Sequence, residues 1–291
     1  MVAKPVRVSI LVFAFIFTIY RPVEAETGSS CSESFNSQNY AAAQEICSKA
    51  AAAGDAVAQY LMAKGYLIGA FGQRDLDKAI EQARSCEDTN TADCANVLGL
   101  ALRSQAIPAD LQNPMSMHVF RSEVRYKADE ALLDQANDAL LRAAKAGSAK
   151  AMYNVGDHYL KGIWYNFEVN PNKAIEWGKK ASAAGFVLGN LLQADAIITG
   201  EFEDNYSELT SLLRPAVKMD SRASYLLARV YELGLGVPRD LTTSYAWLVV
   251  AGAQGNALAT VALGKAEDQL GLQEMRDGEK LARDLYDKYA K

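Results

Sequence analysis

The sequence predicts an all-α fold, a solenoid of about six stacked helix-turn-helix units. Three observations carry that prediction. A small residue, then Ala or Gly five positions on, then Gly six further on, recurs as Ala58-Ala63-Gly69, Ala151-Gly156-Gly162, Gly189-Ala194-Gly200 and Ala223-Ala228-Gly234. Two shortened copies, Cys94-Gly99 and Ala259-Gly264, keep the phase without the last Gly. The anchors step by 36, 57, 38, 34 and 36 residues, a period typical of repeat arrays, which present long binding surfaces and seldom enclose a reaction.

Within a unit, the anchor and the residues four, five and eight beyond it share one stripe of the first helix, the spacing of a buried helical face. In the third unit these are Ala151, Val155, Gly156 and Tyr159; in the fifth, Ala223, Leu227, Ala228 and Tyr231. The small residues let two backbones approach, and the Tyr fills the wider end. Gly162 or Gly234 stops the helix, where a left-handed backbone costs Gly nothing. Asp75, Asn170 before Pro171, and Asp240 stand where an N-cap opens the second helix. The second helix carries Ala174-Trp177-Ala181-Gly185, echoed in Ser244-Trp247-Ala251-Gly255, and Gly54 and Gly147 occupy the same closing position.

Residues 1–25 are set apart from the fold. Lys4 and Arg7 precede the largely apolar run Val8–Tyr20, and Val23-Glu24-Ala25 offers small residues for cleavage, the pattern of a signal peptide. The run is shorter than the ~20 residues a membrane-spanning helix needs. Losing this segment moves the formal charge from −5 to −7, an acidic balance that argues against nucleic acid as partner. Residues 26–54 form an N-terminal disulfide-tied segment with the first helix, and 55–291 the solenoid, closed by a C-terminal capping helix.

Four cysteines in an exported chain indicate two disulfides, for which three pairings exist. Local pairing, Cys31 with Cys47 around the first helix and Cys86 with Cys94 across a helix junction, is the economical choice. No CxxC spacing or nearby His favours a metal site instead, and no cofactor is expected.

The stretch YELGLGVPRDLTTSYAWLVVAGAQGN, from Tyr231 to Asn256, resembles the Sel-one-like repeat (SLR), a relative of the tetratricopeptide repeat; KAIEWGKKASAAG, from Lys173 to Gly185, is similar to its second helix. The likeness extends over nearly all of the chain beyond residue 25, and it implies a right-handed α/α solenoid. Cys86 and Cys94 resemble the pair that staples consecutive units in the cysteine-containing exported branch of the family. By the family's pattern, first helices line the concave side through the positions just before the anchor and two, six, nine and ten after it. Carried over, the partner-binding set is Tyr60, Lys64, Asn96, Arg103, Tyr153, Asp157, Leu191, Asp195, Tyr225 and Arg229. Tyrosines there suit capture of a peptide or protein, being rigid and amphipathic, although the same rings could serve packing between helices.

Two stretches depart from the pattern. The 57-residue step holds an insertion at 105–129 with Met115, Met117, His118 and Phe120. That group could bind copper, but packing of the loop onto the array is the simpler reading. In the fourth unit Pro215 interrupts the second helix, predicting a local bend.

No SxxK, GxSxG, HExxH or phosphate-cradling motif is present, and His118 and His158 are the two histidines, so no catalytic residue is assigned. His158 reads as a surface or junction residue, and Glu201, Glu203 and Asp204 as a solvated turn. The expectation is therefore an exported, periplasmic or secreted, monomeric scaffold that binds a protein or peptide and inserts in no membrane. The resemblance also implies an alternative, a β-lactam- or cell-wall-recognising protein with weak hydrolase activity.

Overall fold

A computed structural model describes residues 28–107, 128–162 and 169–291. The expected signal peptide, the Met115 to His118 group and most of the insertion lie outside them. The described residues form helices and no strands. Two helices, α1 (Gly28–Asn36) and α2 (Tyr40–Ala52), precede the array. Three hairpins of first and second helices follow as α3 (Ala56–Ile68) with α4 (Leu76–Cys86), α5 (Thr91–Ala106) with α6 (Glu130–Lys145), and α7 (Ala149–Lys161) with α8 (Pro171–Ala183). The fourth unit opens with α9 (Leu188–Thr199), the fifth pairs α11 (Ser221–Leu233) with α12 (Leu241–Ala253), and α13 (Ala257–Glu267) and α14 (Leu272–Leu285) close the chain. This is an α/α solenoid in which each second helix packs on the first helix of the next unit.

The repeated geometry follows from repeated local chemistry. The N-cap side chains of Asp75, Asn170 and Asp240 each accept a hydrogen bond of 3.0 Å from the backbone N–H three residues on. Each such cap is worth about 1 kcal/mol. The same cap residues donate their own N–H to Tyr66, Tyr159 and Tyr231, so the tyrosine eight past the anchor also holds the turn through its carbonyl oxygen. At the other end, Asp55, Ser148, Phe186 and Asn256 donate to the carbonyls of Ala50, Ala143, Ala181 and Ala251. Gly54, Gly147, Gly185 and Gly255 supply the positive φ, between 83° and 96°, that lets the chain turn there.

Close approach explains the small residues. A Cβ on Gly178 of α8 would stand 2.8 Å from the carbonyl oxygen of Gly189 on α9, and a Cβ on Gly189 would stand 2.5 Å from that of Gly178. Gly99 meets α6 in the same way, at the Ala136 carbonyl. The insertion does not disturb the second unit, because Asp129 N–H donates to Ala106 O at 3.0 Å and pins its two ends together.

Two features differ from the sequence reading, the setting of the Cys31–Cys47 bridge and the packing of the last helix, while the Cys86–Cys94 bridge and the break at Pro215 agree with it. Cys31 lies within α1 and Cys47 within α2, so their bridge joins two helices instead of flanking one. Cys86 and Cys94 bridge the α4–α5 junction. In the fourth unit the second helix is reduced to a 3₁₀ turn at Glu203–Glu208, five residues of α10 (Leu209–Leu213) and a second 3₁₀ turn at Arg214–Ala216 holding Pro215. Pro215 removes a backbone donor where the α-helix would have continued. Finally, α14 packs against α12, the preceding second helix. Gly278 makes that contact possible, since a Cβ there would meet the Tyr245 ring at 2.7 Å.

Candidate partner-binding face

The first helices present a common face, and the ten residues expected on it have three different fates. Leu191 is 1 % exposed and belongs to the core, so it is closed to any partner. Asn96 is also buried and accepts a hydrogen bond from Asn154 Nδ2 at 3.0 Å, joining α5 to α7. Tyr153 is spent on structure as well: its ring meets Phe186 edge-on at 5.5 Å, and its hydroxyl accepts from Arg222 Nη2 at 2.8 Å. Arg222 is itself held by Asp220 at 2.9 Å. Burial would lower the pKa of Arg222, but the hydrogen bonds to Asp220 and Tyr153 outweigh it and raise it. This contact links the third unit to the fifth, passing over the fourth. Leu191 is buried in the apolar cluster it shares with Leu209, Leu213 and Leu227.

A second group is partly buried and charged. Tyr60 has its pKa pushed up to about 12, mainly by burial and then by Asp93. The Lys64 ammonium lies 5.0 Å from the Phe35 ring centre, within cation–π range. Burial and Lys150 lower the pKa of Lys64 while Asp93 raises it, which places the three charges together across α3, α5 and α7. Asp157 pairs with Lys161 at 2.7 Å and faces Arg103, whose pKa burial depresses. Asp195 is partly buried on α9. His158 is not at the surface: it is 1 % exposed, and burial, reinforced by Arg103 and Lys161, holds its pKa well below the ordinary value. It is neutral at pH 7.

Tyr225 and Arg229 form the third group. With Leu248 of α12 and Leu258, Val261 and Lys265 of α13 they line a groove of about 280 Å³ between α11 and α13. A more open groove of about 330 Å³ separates α3 from α5, lined by Leu67, Ile68, Leu100 and Arg103. Both grooves fall on inward positions of neighbouring first helices. A larger, open hollow of about 600 Å³ lies instead at the α3–α4 turn, where its polar groups already engage one another, Lys78 with Asp75 at 3.2 Å and Arg74 Nε with the Leu67 carbonyl at 2.9 Å.

Leu258, Val261 and Lys265 were absent from the sequence-derived set, although the same phase rule applied to the anchor Ala259 reaches them. Five of the nine exposed large apolar side chains among the described residues point the same way, while Val169, Met219, Leu272 and Tyr286 lie elsewhere. Val57, Ile68, Leu233, Leu258 and Val261 all occupy inward positions and are 43–68 % exposed. Chemically this face offers apolar contact with scattered charges, the means of recognition. Among the described residues, no group of three His, Cys, Asp or Glu side chains is placed to hold a metal ion. No described helix is long and apolar enough to cross a membrane.

Fold and face together define a helical-hairpin repeat protein. A family model described as Sel1 repeat matches residues 37–55, 56–81, 149–186 and 221–256, so Sel1 repeats are found at these four stretches of the chain. Among solved structures it is similar to a Sel1 repeat protein from Oxalobacter formigenes, at 18 % identity and a TM-score of 0.60, over 89 % of this chain and 99 % of that one. It is also similar to a protective antigen of uropathogenic Escherichia coli strains that displays an SLR fold, at 23 % identity and a TM-score of 0.53. That likeness covers 91 % of this chain but 62 % of the antigen, so the chain spans less than two thirds of its length. At these identities the likeness concerns the fold. Comparison with the curated proteins found no match.

Proposed function

We propose that the protein is an exported, non-enzymatic scaffold that binds a protein or peptide partner on the concave face of its repeats, in the periplasm or outside the cell, in envelope regulation, assembly or host interaction. The observation that carries this reading is the gathering of exposed apolar side chains at inward positions of first helices, since patches of that kind on a soluble surface mark sites of association. Sel1 repeats support a scaffold role in general, and two disulfides favour an oxidising compartment. Tyr60, Lys64 and Arg103 mark one stretch of the binding face, Tyr225 and Arg229 the other.

The test is capture from the native envelope or culture medium by the disulfide-intact chain. A specific partner should be retained by wild type and reduced at least about tenfold by the pair Tyr60→Ala and Tyr225→Ala. Equal capture by the double variant overturns the concave-face assignment, and turnover of nitrocefin by the purified chain overturns the non-enzymatic one.

A further inference from the structure

The groove between α11 and α13 exists because the last unit departs from the pattern of the others. First helices α3 and α5, α5 and α7, and α7 and α9 pack directly on one another, whereas α9 and α11, and then α11 and α13, make little direct contact. In the earlier units the second helix packs on its own first helix; α14 leaves α13 and seals α12. The α13 wall is thereby uncovered. Val261 occupies the position two past its anchor, the position held by Leu191 in the fourth unit, yet Val261 is 68 % exposed where Leu191 is 1 % exposed. Leu258, 60 % exposed, extends the same wall, and Leu248 and Leu241 of α12 form the floor.

The charges lining the groove select what can fill it. Arg229 Nη1 pairs with Glu232 at 2.7 Å, so those two cancel. Lys265 lines the groove and makes no ion pair among the described residues, leaving a surplus positive charge in a chain whose formal balance is −5. Glu267 does not offset it, because it faces Tyr245 on the other side of α13. A second copy of the chain would bring a second surplus lysine to the same groove and a second net negative charge to the complex.

We infer that this groove seats an acidic amphipathic segment of another protein, its apolar side chains against Leu258, Val261, Tyr225 and Leu248 and a carboxylate on Lys265. An apolar stripe laid into a groove between helices, with one charged contact fixing orientation, is an established mode of peptide recognition. This inference rests on the concave-face reading and assigns the partner's chemistry at one end of that face.

The probes are three fluorescent synthetic peptides of about 14 residues, roughly four helical turns, with leucines at i, i+3, i+4 and i+7 and polar positions filled by Glu, Gln or Lys. Anisotropy with the full chain should rank them Glu, then Gln, then Lys, with roughly tenfold between the extremes at low salt and a smaller gap in molar salt. Lys265→Glu should reverse the ranking. Val261→Asp, at an exposed position that leaves the melting temperature in place, should weaken all three about tenfold. Absence of binding by every peptide, equal binding of the Glu and Lys forms, or indifference to Val261→Asp overturns the inference. So does a concentration-dependent dimer in light scattering that Val261→Asp abolishes, which would give the groove to a second copy. If the native partner is lost on changing Tyr60 and Lys64 but kept in Val261→Asp, the concave-face reading stands and this one falls.

Discussion

The two halves of the array are held together by different means. In units one to three the buried apolar residues divide into separate clusters, one around Phe35, Ala43, Ala58 and Leu61, a second around Ala79, Ala83, Val97 and Leu98, a third around Leu140, Ala151 and Val155. Alanines dominate the second and third of these seams, the first also holds Phe35, Leu61 and Met62, and both disulfides lie in this half. The Arg142 Nε contact to Glu87 at 2.9 Å and the Arg84 contact to Gln135 at 3.3 Å add polar ties between α4 and α6. From α9 to α14 a single cluster joins Leu191, Leu209, Leu213, Leu227, Val230 and Trp247, with Leu281, Leu285 and Tyr289 packed against it, and no cysteine. The comparison teaches that neighbouring units of one repeat can reach similar geometry by entropy control of the unfolded chain on one side and by apolar burial on the other.

That contrast can be broken from either side. Trp247→Ala removes a side chain 1 % exposed and should cost about 3–5 kcal/mol, read as a lower urea midpoint, with hydrogen exchange rising in α9 to α14 first. Next in size are the staples. Their sequence separations of 16 and 8 residues correspond to about 3 kcal/mol for Cys31–Cys47 and about 2.5 kcal/mol for Cys86–Cys94 in the chain-entropy description. Reduction should therefore raise exchange in α1 to α5 while the melting of the second half stays put; equal loosening of both halves would remove the distinction.

His158 sharpens the picture through pH. Its pKa in the folded chain is depressed, so the unfolded chain takes up a proton that the folded chain refuses. The stability it permits is complete above the unfolded value of about 6.5 and falls as pH drops below it, at up to about 1.4 kcal/mol per pH unit. Denaturant midpoints should show that slope in wild type, and His158→Leu should flatten it. The smallest effects pair two glycines of the second half. Gly236 has φ 69°, and a Cβ there would lie 2.3 Å from the Tyr206 carbonyl, so Gly236→Ala should destabilise by more than about 1 kcal/mol. Gly264 sits in α13 with open space around it, and Gly264→Ala should stabilise by up to about 1 kcal/mol. Thermal midpoints moving in the same direction for both would contradict the packing described.

Much of the array is local chemistry. The caps at Asp75, Asn170 and Asp240, the glycines at the ends of second helices and the spacing of anchors each act within a few residues, so their pattern appears directly in the chain. Tyr225 and Arg229, expected on the inward face, line a groove. The phase rule does not tell that Leu191 enters the core, that Asn96 is taken up by Asn154, or that Tyr153 meets Arg222 across 69 residues, because each of these contacts is made by residues distant in the chain. The exposed wall of α13 escaped notice for a related reason. Nothing in its own sequence records that α14 would pack on α12.

The amino-acid sequence by itself determined that helical hairpins form, where each begins and ends, and which small residues admit a neighbour, because capping, left-handed turns and helical periodicity are settled within one or two turns of chain. The tertiary structure alone decided which inward residues remain open, which close over the fourth unit, and where a groove is left at the end of the array. Those outcomes depend on the angles between units, set by side chains that meet only after the hairpins have stacked.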